Sequence, residues 1–291
     1  MSTQNRSVEE LSVTFEDIQG PLSQPVLEDR FEEITQEELR YRELFRNYDA
    51  TSLNSDTVQM PIPEDTVGNP KIVQEGAEFP RDQEEYRREQ LTFDKFGFEI
   101  AISMEAQADS QVDLVQDQVD RQARQTREEM NEQAFRTARD AINQNSSRVV
   151  SDGPDGIMGF EDILRGREEL TTKSFNPDTL IVDVNGSHDL LNDGNFLEAG
   201  SEGQVELRRT AEIGQIAGQT VLEDDSGLNI TGNDNPGGML VDTDYFGYEG
   251  TRLETTSESY TEDRTQNDVY RVYNRMGWLV TDPEAGVIIE G

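Results

Sequence analysis

Few side chains in this sequence can do chemistry, and their spacing decides what they do. The three lysines, Lys71, Lys95 and Lys173, follow Pro70, Asp94 and Thr172. None follows the glycine that a phosphate-cradling loop sets before its lysine and hydroxyl residue, which excludes nucleotide chemistry of that type. There is one histidine, His188, and no cysteine. Multi-histidine and thiolate metal centres, a cysteine nucleophile and disulfides are therefore absent, and nothing local completes a nucleophilic triad around His188. His188 reads as an exposed or capping histidine on a short helix.

Carboxylates are abundant, and the pairs Asp224 with Asp225, Asp242 with Asp244 and Glu262 with Asp263 could hold a hard cation. None has the glycine and terminal glutamate of a calcium loop, so solvated surface is the better reading. Basic residues cluster only as Arg87 with Arg88 and Arg208 with Arg209, too sparsely for a surface that tracks phosphates. No catalytic residue, cofactor or metal is expected, and an enzyme is the least favoured class.

The 291 residues carry 61 acidic and 25 basic side chains for a net charge of -36. Only 33% are hydrophobic, and the mean hydropathy is -0.76, so the core is modest for the length. The acidity is spread over every segment, unlike a disordered acidic tail. Uniform acidity with arginine in place of lysine suits a protein whose self-repulsion is screened by strong salt, and a halophilic origin is expected. The first residues, MSTQNRSVEELSV, have no apolar stretch for secretion, and nowhere do 18 apolar residues run together; a soluble, unexported chain is expected.

The elements that would position these residues start with a long helix from near Asp109 to Asn145. Val112, Val115, Val119, Ala123, Thr126, Met130, Ala134, Ala138 and Ile142 form one apolar stripe. Ser110 is its expected cap, and Asp117 with Arg121, Asp120 with Arg124 and Glu132 with Arg136 support its wet face. Before it, KIVQEGAEFPRDQEEYRREQLTFDKFGFEIAIS reads as a charged hairpin. The inward parity of Leu91 and Phe93 passes to Phe96, Phe98, Ile100 and Ile102 at a bend near Gly97.

Residues 1–57 read as a polar arm broken by Pro21 and Pro25, with one short helix capped by Thr35 and carrying Leu39, Leu44 and Phe45 inward. Beyond the long helix, GFEDILRGREEL predicts a helix with Phe160, Ile163, Leu164 and Leu170 inward. TLIVDV predicts a buried strand, and Ser187 is the expected cap of a helix over HDLLND. IGQIAGQTVLED predicts one further strand, and Gly232 to Gly238 a loop. Alternating strands return from Thr251 to Ile289, with a turn at Asp282 and Pro283, and pack beside the long helix.

The order of polar arm, hairpin, long helix, mixed region and returning strands resembles the Hong Kong 97 type of major capsid protein of tailed viruses. The residues that carry the resemblance are VQEGAEFPRDQ, LTFDKFGFEIAISMEAQADSQVDLV, FNPDTLIVDVNGSHDLL, EIGQIAGQTVLE and NRMGWLVTDPEAGVIIEG. It covers residues 58–291 and implies an α+β fold of the Hong Kong 97 type. The implied parts are an N-terminal arm (1–57), an extended hairpin loop (58–103), a peripheral domain with the spine helix (104–149 and 248–281) and an axial domain (150–247 and 282–291). The extended loop would lie on the adjacent subunit, making Arg81, Tyr86, Arg87, Arg88, Lys95 and Phe96 candidate intersubunit contacts.

The resemblance implies a virion capsid protein, assembled in the host cytoplasm into hexamers and pentamers that close an icosahedral shell around double-stranded DNA. The partners implied are further copies of the chain, scaffolding, portal and decoration proteins, with no membrane and no sequence-specific DNA contact. An encapsulin-like nanocompartment shell and an elongated tail or adhesion module are the alternatives. Particles enclosing a protein cargo would favour the first, and failure to form closed particles the second.

Overall fold

The computed structural model describes residues 24–36, 40–53, 55–63, 86–103, 114–145, 148–151, 156–193, 215–224, 226–232, 235–262 and 264–291. The chain runs through α1 (Gln24–Gln36), a 3-10 turn (Arg40–Leu44), β1 (Arg46–Asp49), β2 (Thr57–Pro63), β3 (Tyr86–Thr92), β4 (Asp94–Ser103), α2 (Leu114–Gln144) and β5 (Arg148–Val150). It continues through α3 (Phe160–Thr172), β6 (Thr179–Asp183), α4 (Val184–Asn192), β7 (Gln215–Ile216), β8 (Gln219–Asp224), β9 (Gly237–Val241) and α5 (Thr243–Phe246). Last come β10 (Gly247–Glu262), β11 (Asn267–Val280), a second 3-10 turn (Pro283–Ala285) and β12 (Gly286–Glu290).

The strands form a four-stranded sheet in the order β1-β10-β11-β4, a six-stranded sheet in the order β5-β12-β9-β6-β8-β7, and a ribbon of β2 with β3. The α+β architecture follows from where the helices can cover them. The 31 residues of α2 span about 46 Å at ~1.5 Å per residue, long enough to serve both sheets. Near its start Val119 packs with Ile100, Ile102 and Tyr270, and Ala123 with Phe31, Ile34 and Val272. Near its end Met130, Ala134, Ala138 and Ile142 join Ile181, Met239, Val241 and Ile288 of the six-stranded sheet.

The expected stripe from Val119 to Ile142 is therefore the buried face of α2. The helix begins five residues later than its periodicity suggested, and Ser110 and Val112 lie outside the described residues. Two of the expected pairs form, Asp117 with Arg121 at 2.6 Å and Glu132 with Arg136. Arg124 instead donates from Nε to the main-chain carbonyl of Asp120 at 3.1 Å.

Several local expectations are corrected. The arm's helix is α1, which ends at Gln36; Pro25 falls in its first turn, where a missing N–H costs nothing. Thr35 sits in the last turn and donates to the Phe31 carbonyl at 2.7 Å, while Leu44 and Phe45 are buried as expected and Leu39 lies outside the described residues. In α3 Ile163, Gly166 and Leu170 are buried, but Leu164, one residue round the helix from that face, is exposed.

The cap of α4 is Asp183, whose carboxylate accepts from the Gly186 N–H at 2.6 Å. Ser187 is inside the helix, buried, and donates to Glu223 at 2.8 Å. Of the expected strand IGQIAGQTVLED, Gln215 to Asp224 make a hairpin and not one strand, because Ala217 and Gly218 both adopt positive φ between β7 and β8. Gly237 and Gly238 belong to β9 and not to a loop. The parity switch falls at Asp94 and Lys95, both exposed, where the chain has left the ribbon and enters the four-stranded sheet. Gly97 is needed for another reason: a Cβ there would sit 2.3 Å from the Val272 carbonyl.

Candidate assembly surface

The four-stranded sheet has unlike faces because β11 alternates. Val272, Asn274 and Met276 are buried toward the helices, and Arg271, Tyr273 and Arg275 are turned the other way and half-exposed. On this outer face the base of the ribbon crosses the sheet over a pair of opposed glycines, Gly250 and Gly277. A Cβ on Gly277 would lie 2.0 Å from the Thr92 carbonyl, and one on Gly250 would lie 2.6 Å from Leu91 and Phe93. Only main chain without side chains admits so close a crossing.

Ala50, Met60, Leu91 and Phe93 form a small buried cluster there, with Tyr48, Tyr248 and Leu279 packed against it. Beyond it the described part of the ribbon is a two-stranded element with no buried cluster of its own. Pro61 pairs with Arg88, Ile62 with Arg87 and Pro63 with Tyr86. Tyr86, Arg87 and Arg88 are all exposed, and Arg87 pairs with Glu89 at 2.8 Å. A ribbon of this kind is marginal unless something covers it.

Of the candidate contacts, Tyr86, Arg87 and Arg88 lie together on the described part of the ribbon. Lys95 lies apart from them, exposed at the start of β4, with its ammonium 3.7 Å from the centre of the Tyr273 ring. Phe96 points the opposite way and is a correction: it is buried in its own subunit, edge-on to Trp278 at 5.7 Å. Arg81 lies outside the described residues.

Beneath the outer face the 3-10 turn fastens the arm to both sheets through buried polar contacts that the sequence did not single out. The Tyr41 hydroxyl donates to Asp224 of β8 at 2.7 Å, and the Tyr41 N–H donates to Asn131 of α2 at 3.3 Å. Arg42 pairs with Glu249 of β10 at 2.6 Å, and the Trp278 indole N–H donates to the same carboxylate at 3.1 Å. Burial pushes the Glu249 carboxyl up, against the pull of Arg42 and Trp278 in the other direction. Burial, reinforced by Asp224, holds the Tyr41 hydroxyl above the ordinary phenol value, so it stays a donor.

Of the acidic pairs, Asp244 and Glu262 are the exposed surface expected, and the other described members are not. Asp224 and Asp242 are buried. Asp224 accepts from Tyr41 and from Ser226, and Asp242 accepts from the Asn176 and Asp244 N–H groups at 2.7 and 3.1 Å. Asp225 and Asp263 lie outside the described residues. Among the described residues no three histidine, cysteine or acidic side chains converge as metal ligands. His188 is exposed on α4 and within 3.2 Å of the Asn192 side chain. No described helix is long and apolar enough to cross a membrane. What this arrangement can do is hold a charged ribbon and an open sheet face in fixed relation.

The sequence matches the phage capsid protein family model over residues 87–289. No curated protein matches it. Among solved structures, a chain of Mycobacterium phage Che8 is similar at 14% identity and a TM-score of 0.66, with 86% of this chain and 90% of that chain covered. The capsid of the cyanophage P-SCSP1u is similar at 10% identity and a TM-score of 0.64, covering 85% and 86%. A virus-like particle from Pyrococcus furiosus is similar at 10% identity and a TM-score of 0.60, covering 91% and 97%.

Proposed function

This chain belongs to the phage capsid protein family, and from that premise we propose that it is a major capsid protein that works by assembling with copies of itself. In this reading pentamers and hexamers close an icosahedral shell around double-stranded DNA, in a host cytoplasm, with scaffolding, portal and decoration proteins as partners. The observation that carries it is the ribbon: past Met60 and Leu91 it leaves its own core, and Tyr86, Arg87 and Arg88 stand exposed on it. A neighbouring subunit supplies the missing cover.

In the same reading residues 58–103 are the extended loop. Residues 104–149 and 248–281, with α2 and most of the four-stranded sheet, are the peripheral domain. Residues 150–247 and 282–291, with most of the six-stranded sheet, are the axial domain, and residues 1–57 are the arm. A net charge of -36 makes the shell repel both itself and DNA unless salt screens them, so a halophilic virus is the source this reading favours.

The test is electron microscopy of the purified protein in molar salt, followed by light scattering during dialysis to dilute buffer. Closed particles that release folded subunits as salt falls are expected, since the screening length grows from ~3 Å at 1 M to ~30 Å at 0.01 M. A protein that stays monomeric at every salt concentration overturns the proposal. The likeness to the Pyrococcus furiosus virus-like particle supports a second reading, a shell around a protein cargo. Particles from the native source that contain protein and no DNA select it.

A further inference from the structure

We propose that the outer face of the four-stranded sheet carries a cationic notch, made by Lys95, Arg252, Arg275 and the Tyr273 ring, that receives a carboxylate from a second copy of this chain. The inference rests on the assembly reading and adds to it a specific seat. Lys95, Arg252, Leu253, Tyr273 and Arg275 line a cleft of about 240 Å³. Its walls come from three adjacent strands, because Arg275 of β11 stands opposite both Leu253 of β10 and Lys95 of β4.

The opening has a backbone cause. The pairing of β10 with β11 shifts register twice, between Thr251 and Leu253 and again between Leu253 and Thr256. Such irregularities re-aim side chains and leave space between strands. Arg252 is turned so that its guanidinium donates to the main-chain carbonyls of Ser55 and Thr51 at 3.1 and 3.3 Å. Arg275 is tied to Asp56 at 2.6 Å, and Lys95 stands over the Tyr273 ring.

Charge along this face is sorted. Farther along β11, Arg271 is matched by Glu99 and Glu258, and the Tyr273 hydroxyl donates to Glu258 at 3.1 Å. At the notch, Asp56, paired with Arg275, is the one carboxylate among the described residues in ion-pair contact with any of the three cations. In a chain with 61 acidic and 25 basic residues, three cations lining one cleft with a single ion-paired carboxylate beside them is the unusual place. Any approaching copy presents carboxylates, and here three cations outnumber Asp56. Three cations in a single cleft match one carboxylate better than the repeating charges of a nucleic-acid strand, which need a stripe.

The notch also lies against the root of the ribbon, since Thr51, Ser55 and Asp56 precede β2 and hold Arg252 and Arg275. A carboxylate seated there bears on the element that carries the exposed Tyr86, Arg87 and Arg88. The contact acts on how the ribbon is carried as well as on net attraction.

The test uses the scarcity of lysine. Equal amounts of isotope-labelled and unlabelled protein are assembled together and treated with a carbodiimide, which joins an ammonium to a carboxylate touching it. With three lysines in the chain, each product maps to one site. Lys95 joined to acidic peptides of the other isotope, in particles and not in subunits released at low salt, is the expected result. Particles in which Lys95 joins only its own copy, or nothing, overturn the inference while leaving the assembly reading intact. Protection of Lys95 by nucleic acid in place of that product also overturns it, and failure of the scattering signal to form at all overturns the assembly reading.

A paired variant provides a second readout. Lys95→Gln with Arg252→Gln is compared with Arg121→Gln plus Arg264→Gln, which removes the same charge from exposed positions elsewhere. The notch pair should raise the salt needed for half-assembly at least about twofold more than the control pair, because the lost attraction is local and unscreened at contact. Equal shifts overturn the proposal.

Discussion

In the six-stranded sheet every residue of β9 and β12 is buried, whereas in β10 of the four-stranded sheet burial ends at Ser257 and the last five residues are exposed. The first sheet is covered twice. Ile163, Leu170 and Leu190 of α3 and α4 pack on Leu180, Leu240, Val287 and Ile289, and α2 with the 3-10 turn covers Ile181, Met239 and Ile288 from the other side. The second sheet has α1 and α2 on one face, and on the other only the ribbon base among the described elements. Continuous apolar runs mark a sheet whose work is to hold shape. Alternation, with charge sorted along the open side, marks one that keeps a face to solvent.

The contrast is sharpened most by deleting matched leucines. Leu240→Ala in β9 should cost ~3–5 kcal/mol, the range for a fully buried leucine in a site that cannot collapse. Leu253→Ala, half-exposed on the outer face, should cost about 1 kcal/mol or less. Denaturant unfolding of released subunits measures both, and similar costs would break the distinction between the two sheets.

Gly277→Val comes next and acts on the outer face alone. Its side chain would meet the Thr92 carbonyl, which cannot change rotamer, so a cost of about 3 kcal/mol and loss of the ribbon's seat are expected. Protease cleavage of the ribbon with the six-stranded sheet still protected would be the signature. Particle assembly with wild-type yield would show that the crossing is not needed.

Glu249 tests the seam between the regions through pH. Its carboxyl is raised in the folded protein, above the 4.5 of an exposed glutamate, chiefly by burial. The folded state then holds the proton more tightly than the unfolded one. Its contribution is full below the unfolded value and is lost as pH rises through the folded value. Stability of the subunit in molar salt should therefore rise as pH falls from 7 toward 5, and Glu249→Gln should lack that increment. Parallel pH profiles for the two proteins would contradict the assignment.

The smallest effect is expected at Asp117→Asn. Its partner Arg121 and Asp117 itself are 68% and 48% exposed, and such a pair is worth ~0.3–0.5 kcal/mol at low salt and less in brine. A loss above 1 kcal/mol by thermal unfolding would mean that the wet face of α2 is covered in the free subunit.

Legibility in the sequence follows the same division. The stripe of α2 from Val119 on and the strand from Thr179 to Asp183 are set by periodicity and continuous apolarity and lie where expected, although Val184 opens α4 and is exposed. Arm helix α1 was obscured because Pro25 acts as a breaker in mid-helix and as a neutral residue in a first turn, and sequence alone does not fix which turn it occupies. Asp224 and Asp242 are buried acceptors that look like any other acid in so acidic a chain. Gly250 and Gly277 gain their meaning from a strand that crosses them, and Arg252 from a register shift. Neither leaves a trace in local spacing, although the single tryptophan, Trp278, was a signal that something large was being packed near Glu249.

Because one helix supplies part of both hydrophobic cores, the two sheets are expected to unfold as a single cooperative unit. Val119 and Ala123 are satisfied by one sheet, and Ala138 and Ile142 sit in the core that reaches the other. A nascent chain that has formed only one sheet carries half of α2 with its stripe bare, and that stripe is the adhesive surface of the intermediate. Calorimetry of released subunits should accordingly give one transition, with amide exchange slowest at the middle of α2. The interval between completing the first sheet and the second is then the period in which aggregation is expected, and the bare stripe of α2 is where it would start.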